Sequence, residues 1–143
     1  MGMLWIRMGL VLLLSLSLTA CGGQMPDRSL VEKAIALQFS QTQAELAQQL
    51  RVSSANQPSF SFSEVKIEAR QPLQIDQFRG FRVEGTYELT LVYPNRSVVQ
   101  RHNPFEVYLQ RQAEGKTWRL ARLQVGRSPA GNPDNYWVTQ LIQ

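Results

Sequence analysis

The side chains with the greatest chemical reach in this 143-residue chain come singly: one cysteine, Cys21, and one histidine, His102. A metal centre gathers three or four nitrogen, sulfur or carboxylate donors, so one imidazole and one distant thiol indicate no metal site. A single cysteine also excludes an intrachain disulfide. His102 stands beside Asn103-Pro104 and reads as a surface or edge residue at a strand irregularity. Nucleophilic hydrolysis has no Gly-x-Ser-x-Gly elbow to work from, and the glycine patterns of phosphate and dinucleotide loops are missing. Among the acids, Glu84 and Glu88 fall on the polar side of an alternating segment, whose apolar side offers Tyr87 and Tyr93 with no carboxylate beside them; Asp76 and Asp134 fall in loops. No catalytic residue, metal or cofactor is therefore expected.

Binding chemistry is better represented. From Arg96 onward there are seven basic residues against three acidic ones. Arg101 and Arg111 on one strand and Arg119 on the next would form an outward basic strip, suited to an acidic partner, an anionic polymer or anionic head groups. The plainer reading of such charges is a solvated surface that discourages edge pairing. Trp137, next to Tyr136 and just after a loop, is the aromatic most suited to a partner contact. The remaining aromatics, Phe60, Phe62, Phe81, Tyr87, Phe105 and Trp118, alternate with polar residues and read as core. A net charge of +4 is too mild to point to nucleic acid.

The position of Cys21 carries more information than its thiol. Met1 to Met8 holds one positive charge, Arg7, and Leu10 to Leu18 is apolar apart from Ser15 and Ser17. This is the layout of a secretory leader, too short for the roughly 20 residues of a spanning helix. The run ends in Leu18-Thr19-Ala20-Cys21, which resembles the lipobox of bacterial lipoproteins. The resemblance implies cleavage before Cys21, a diacylglycerol on its thiol and acylation of the new amine. Two or three acyl chains hold a protein on a bilayer where one does not. Residues 1–20 are then the signal peptide and 21–28 a lipidated tether, Gly/Pro-containing and poor in apolar residues. Losing Arg7 with the leader leaves 14 basic residues against 11 acidic ones.

Residues 29–143 must hold the domain. Ser29-Leu30-Val31-Glu32 matches a capping box, and Val31, Ile35, Phe39, Thr42, Leu46 and Leu50 follow as one helical stripe. Period two then takes over. Phe60 and Phe62 alternate, and Val65, Ile67 and Ala69 alternate with opposite parity, which predicts a bulge near Ser63 and Glu64. Phe81 to Tyr93 is the strongest strand, Pro94-Asn95-Arg96-Ser97 a turn, Val98 to Arg111 a strand disturbed at Asn103-Pro104, and Trp118 to Val125 the last clear strand. Tyr136 to Ile142 fits either a strand or a helical turn.

One long helix packed on a curved antiparallel sheet of about four strands is an α+β layout. Its element order resembles the cystatin-like superfamily, including domains similar to nuclear transport factor 2, many of which occur as exported bacterial lipoproteins; a small barrel is the structural rival. The function expected is that of a lipid-anchored, extracytoplasmic binding or accessory protein of the cell envelope, non-catalytic, held to the membrane through Cys21 and contacting an envelope protein or an anionic polymer. The alternative is a small-ligand carrier or an enzyme using a pocket between helix and sheet.

Overall fold

The computed structural model describes residues 24–51, 53, 57–126, 129–131 and 135–143; the expected leader and Cys21 lie outside them. One helix, α1 (Arg28–Leu50), precedes β1 (Ser59–Ile75), β2 (Phe78–Val92), β3 (Ser97–Arg111), β4 (Trp118–Gln124) and β5 (Tyr136–Leu141). The strands form a single antiparallel sheet in chain order, with α1 against one face. The α+β expectation holds. The fifth strand arises because Tyr136–Leu141 pairs along the whole of β4, from Arg119 opposite Leu141 to Gln124 opposite Tyr136.

The helix starts two residues earlier than the capping-box reading placed it. Asp27, not Ser29, is the N-cap: its backbone is extended and its Oδ1 accepts from the Leu30 amide at 2.8 Å. Aspartate caps as well as serine does, and a cap at 27 leaves Glu32 free to accept from Arg28 Nε at 2.8 Å one turn away. The fold also takes in Pro26, which is fully buried and whose carbonyl accepts from Arg70 Nε at 3.1 Å. The tether assigned to 21–28 thus gives way to the fold by Pro26.

Only the first half of the helical stripe is buried. Val31, Ala34 and Ile35 are sealed and Phe39 partly covered, whereas Leu46 is 44% exposed and Leu50 69%. The sheet explains this. Beyond Tyr108 opposite Ala121, β4 no longer pairs with β3, so the sheet forks and the second half of α1 lies along the fork. There Arg122 Nη1 meets Glu45 Oε1 at 3.0 Å, Gln38 Nε2 donates to the Glu106 carbonyl at 3.4 Å, and Gln41 bonds Gln140. Polar links stand where the stripe anticipated apolar contact.

Register follows from three irregularities. The first is the expected bulge: Ser63 pairs with Glu88 and Lys66 with Thr86, so Glu64 and Val65 share one position, with Glu64 at φ 49°. The second is an extra residue, Glu68, between the pairs Ile67–Gly85 and Ala69–Glu84. It reverses the parity, so Ala69 projects to the face opposite Val65 and Ile67, against the sequence expectation. The third sets Arg101 and His102 opposite Glu88, with His102 at φ 56°, which accounts for the disturbance expected near Asn103-Pro104.

The core lies between α1 and the sheet: Val31, Ala34 and Ile35 against Val65, Val83, Phe105, Val107, Leu109, Trp118 and Leu120. Phe39 meets Phe60 and Phe62 edge-on at 4.7 and 5.5 Å, and Phe62 meets Tyr87 at 5.2 Å. These aromatics are packing elements, as their alternation implied. Gly85 admits no side chain, since a Cβ there would stand 1.9 Å from the Lys66 carbonyl oxygen and 2.9 Å from Phe105 Cε1.

Candidate interaction face

Residues directly opposite in a ladder project to the same face, so the register sorts the whole sheet. Phe81, Val83, Val107, Leu109, Trp118 and Leu120 point toward α1. The other face carries Arg82, Glu84, Glu106, Tyr108, Arg119, Leu123, Trp137, Thr139 and Leu141, and no described element covers it.

Its middle is an ordered network. Arg82 lies opposite Tyr108 and Glu84 opposite Glu106. The Arg82 guanidinium bonds Glu106 Oε2 from Nε at 3.0 Å and from Nη2 at 2.6 Å, and also pairs with Glu84. The Tyr108 hydroxyl donates to Glu106 Oε1 at 2.6 Å. Both carboxylate oxygens of Glu106 are therefore engaged, and the Tyr108 hydroxyl bond, with Arg82 next in importance, holds that carboxyl below its ordinary range. The same bond to Glu106, helped by burial, raises the Tyr108 phenol. On the far side Tyr108 approaches Trp137, ring centres 5.2 Å apart, and Trp137 stands opposite the half-exposed Leu123. Tyr, Trp and Arg fixed in one patch are the residue types that dominate binding energies at protein interfaces.

The basic strip does not assemble. Arg111 stands opposite Trp118 and Arg119 opposite Gln110, which puts the two arginines on opposite faces. Arg111 donates from Nε and Nη2 to the Gly115 carbonyl at 3.2 and 3.0 Å and so clamps the β3–β4 turn, where Gly115 has φ 74°. Arg119 braces β5 through the Thr139 hydroxyl at 2.9 Å and carbonyl at 3.2 Å. Arg101, 73% exposed, sits in the β3 bulge, 3.3 Å from Glu88. Trp137, by contrast, lands in the patch. Sequence reasoning passed over Tyr108, Arg82 and Glu106; alternation put Tyr108 and Glu106 on the polar side of β3, but only the register sets them across from Arg82 and Glu84.

Two further features bear on chemistry. Where the β1 and β3 bulges flank Glu88, a recess of about 220 Å³ brings together Glu64, Lys66, Glu88, Arg101 and His102. Ser63 Oγ donates to Glu88 Oε1 at 3.5 Å, a long contact. Between α1 and the free edge of β3 runs an open groove of about 340 Å³ lined by Ile35, Phe39, Thr42, Tyr87, Phe105 and Val107. Burial raises the Tyr87 phenol there. Among the described residues no group of three or more His, Cys, Asp or Glu is placed to hold a metal ion, and no helix is long and apolar enough to cross a membrane.

No family model, curated protein or solved structure matches the chain.

Proposed function

We propose that this protein is a lipid-anchored, extracytoplasmic accessory protein of the cell envelope that binds a protein partner through the open face of its sheet and performs no catalysis. The anchor is Cys21, on the strength of the leader and the Leu18-Thr19-Ala20-Cys21 sequence. The single observation that carries the binding face is the Tyr108–Trp137 pair, ordered over the Arg82–Glu106 network on a face that contributes little to the main core. Helix followed by antiparallel strands also suits the cystatin-like order, with the bulges in β1 and β3 supplying the bends of a curved sheet.

A photoreactive residue at Leu123, opposite Trp137, tests the face in intact membranes. A discrete adduct is expected at Leu123, absent with the same probe at Leu46 on α1 and lost when Trp137→Ala is added. Equal labelling from Leu46 would sink the proposal. The mass of the N-terminal peptide from the same membranes, compared with a Cys21→Ser variant, tests the anchor: a multiply acylated peptide beginning at Cys21 is expected only with the cysteine present.

The groove beside α1 favours one second reading, a carrier or enzyme for a small apolar ligand, because Phe39, Tyr87 and Phe105 line it. A metabolite retained in native mass spectra and displaced by Phe39→Trp would move that reading ahead of the first.

A further inference from the structure

Two of the chain's three lysines meet at one end of the molecule. Lys33, in the second turn of α1, and Lys116, in the turn between β3 and β4, line a shallow basin of about 350 Å³ together with Gln24, Met25, Trp118 and Ile142. Both lysines are exposed, and among the described residues neither has an ion-pair partner. One acid, Asp27, lines the basin and is engaged in capping the helix; of the acids beside it, Glu32 pairs with Arg28 and Glu114 accepts from the Thr117 hydroxyl. Met25, 57% exposed, adds an apolar side chain at the rim.

The chain itself says what this end faces. Gln24, in the basin wall, is three residues after Cys21, and three residues reach at most about 10 Å. A lipid on Cys21 enters the bilayer at the level of the head groups, so a basin that starts at Gln24 cannot stand away from them. The third lysine, Lys66, lies in the β1 bulge recess beside Glu64, Glu88 and His102, at another place on the sheet.

We propose that the Lys33–Lys116 basin is the surface on which the domain rests on its own membrane, the two ammonium groups binding the anionic head groups of the phospholipids around the anchor. This rests on the lipid-anchor reading. It goes beyond it by fixing which end of the domain faces the bilayer and which lipid charge it selects, and by giving the acyl anchor the basic second signal that strengthens membrane attachment.

The test supplies the anchor chemically, so that it does not depend on whether cells acylate Cys21. The chain from Cys21 onward, which holds every described element, is coupled through its one thiol to a maleimide lipid. The vesicles contain phosphatidylcholine alone or phosphatidylcholine with phosphatidylglycerol. A short pulse of a water-soluble amine-acylating reagent, read by peptide mass spectrometry, reports each lysine separately. On the anionic vesicles Lys33 and Lys116 should react about fivefold more slowly than on neutral ones, with Lys66 unchanged, and added salt should remove the difference. A Lys33→Gln, Lys116→Gln variant with unchanged circular dichroism should lose preference for anionic vesicles when the thiol is left uncoupled. Equal reactivity of all three lysines on both vesicle types would overturn the proposal, even if the cellular protein proves acylated. An unacylated Cys21 in cells would overturn the anchor reading and leave the vesicle measurement interpretable by itself.

Discussion

The two faces of the sheet are made from the same strands and have opposite characters. Toward α1, Val83, Val107, Leu109 and Leu120 are almost wholly sealed, and their contacts are shape and apolar area. Away from α1, Arg82, Glu84, Glu106 and Tyr108 form a bonded network with Trp137 at its edge. Period two thus divides labour, one parity building the core and the other carrying the bonded polar network. The division is not complete. Near the β1–β2 hairpin, Ile75 folds over Gly80 on the open side, and the buried Gln110 donates to the Ile75 carbonyl at 3.1 Å while accepting from Gln112. A small second core therefore closes that end of the open face.

This contrast can be broken most forcefully from the covered side. Leu109→Ala should cost about 2–5 kcal/mol in urea unfolding, because Leu109 is fully buried and the cavity cannot fill from a rigid sheet. Trp137→Ala on the open side should cost no more than about 1 kcal/mol while removing the Leu123 crosslink. A Trp137→Ala loss as large as that of Leu109→Ala would mean that the open face is core after all.

The helix start offers a finer comparison. Asp27→Ala should destabilise by about 1 kcal/mol through the lost bond to Leu30, and Ser29→Ala should be close to neutral. The reverse order would restore the cap to Ser29.

The smallest effect comes from pH. The Glu106 carboxyl is held below its ordinary value of 4.5, so its contribution is present above that pH and is lost as the pH falls through the lower folded value. Unfolding curves should show wild type ahead of Tyr108→Phe at neutral pH, with the gap closing on acidification below the ordinary carboxylate range. A gap that persists in acid would mean that the Tyr108 hydroxyl acts through something other than the ionised Glu106 carboxylate.

Much of the fold was legible because it depends on local pattern. The limits of β3 and β4, the Pro94–Ser97 turn, the bulge at Ser63 and Glu64 and the aromatic packing all follow from alternation and turn chemistry read over a few residues, whereas β1 runs on to Ile75 and β2 starts at Phe78, beyond the alternation that marked them. Errors arose where a long-range fact overruled a local one. Glu68 added a residue that composition does not flag and carried Ala69 to the other face. The fork between β3 and β4 left Leu46 and Leu50 in water, although their helical spacing matches that of the buried Ile35. The basic strip failed for the same reason: a face is a property of pairing, and Arg111 and Arg119 take opposite ones. Trp137 could be singled out from sequence, but its neighbours Tyr108 and Leu123 belong to other strands.

The two irregularities in β1 also have a bearing on solubility. β1 is a 17-residue outer strand whose far edge meets no other described strand, a template on which another chain could add. Glu64 in a left-handed conformation and the extra Glu68 interrupt that edge twice within five residues, Lys66 stands charged between them, and Pro72 removes a donor further along. No uninterrupted run long enough to seed a cross-strand stack survives. The longest strand of the sheet thus offers a second copy no long regular edge to pair with.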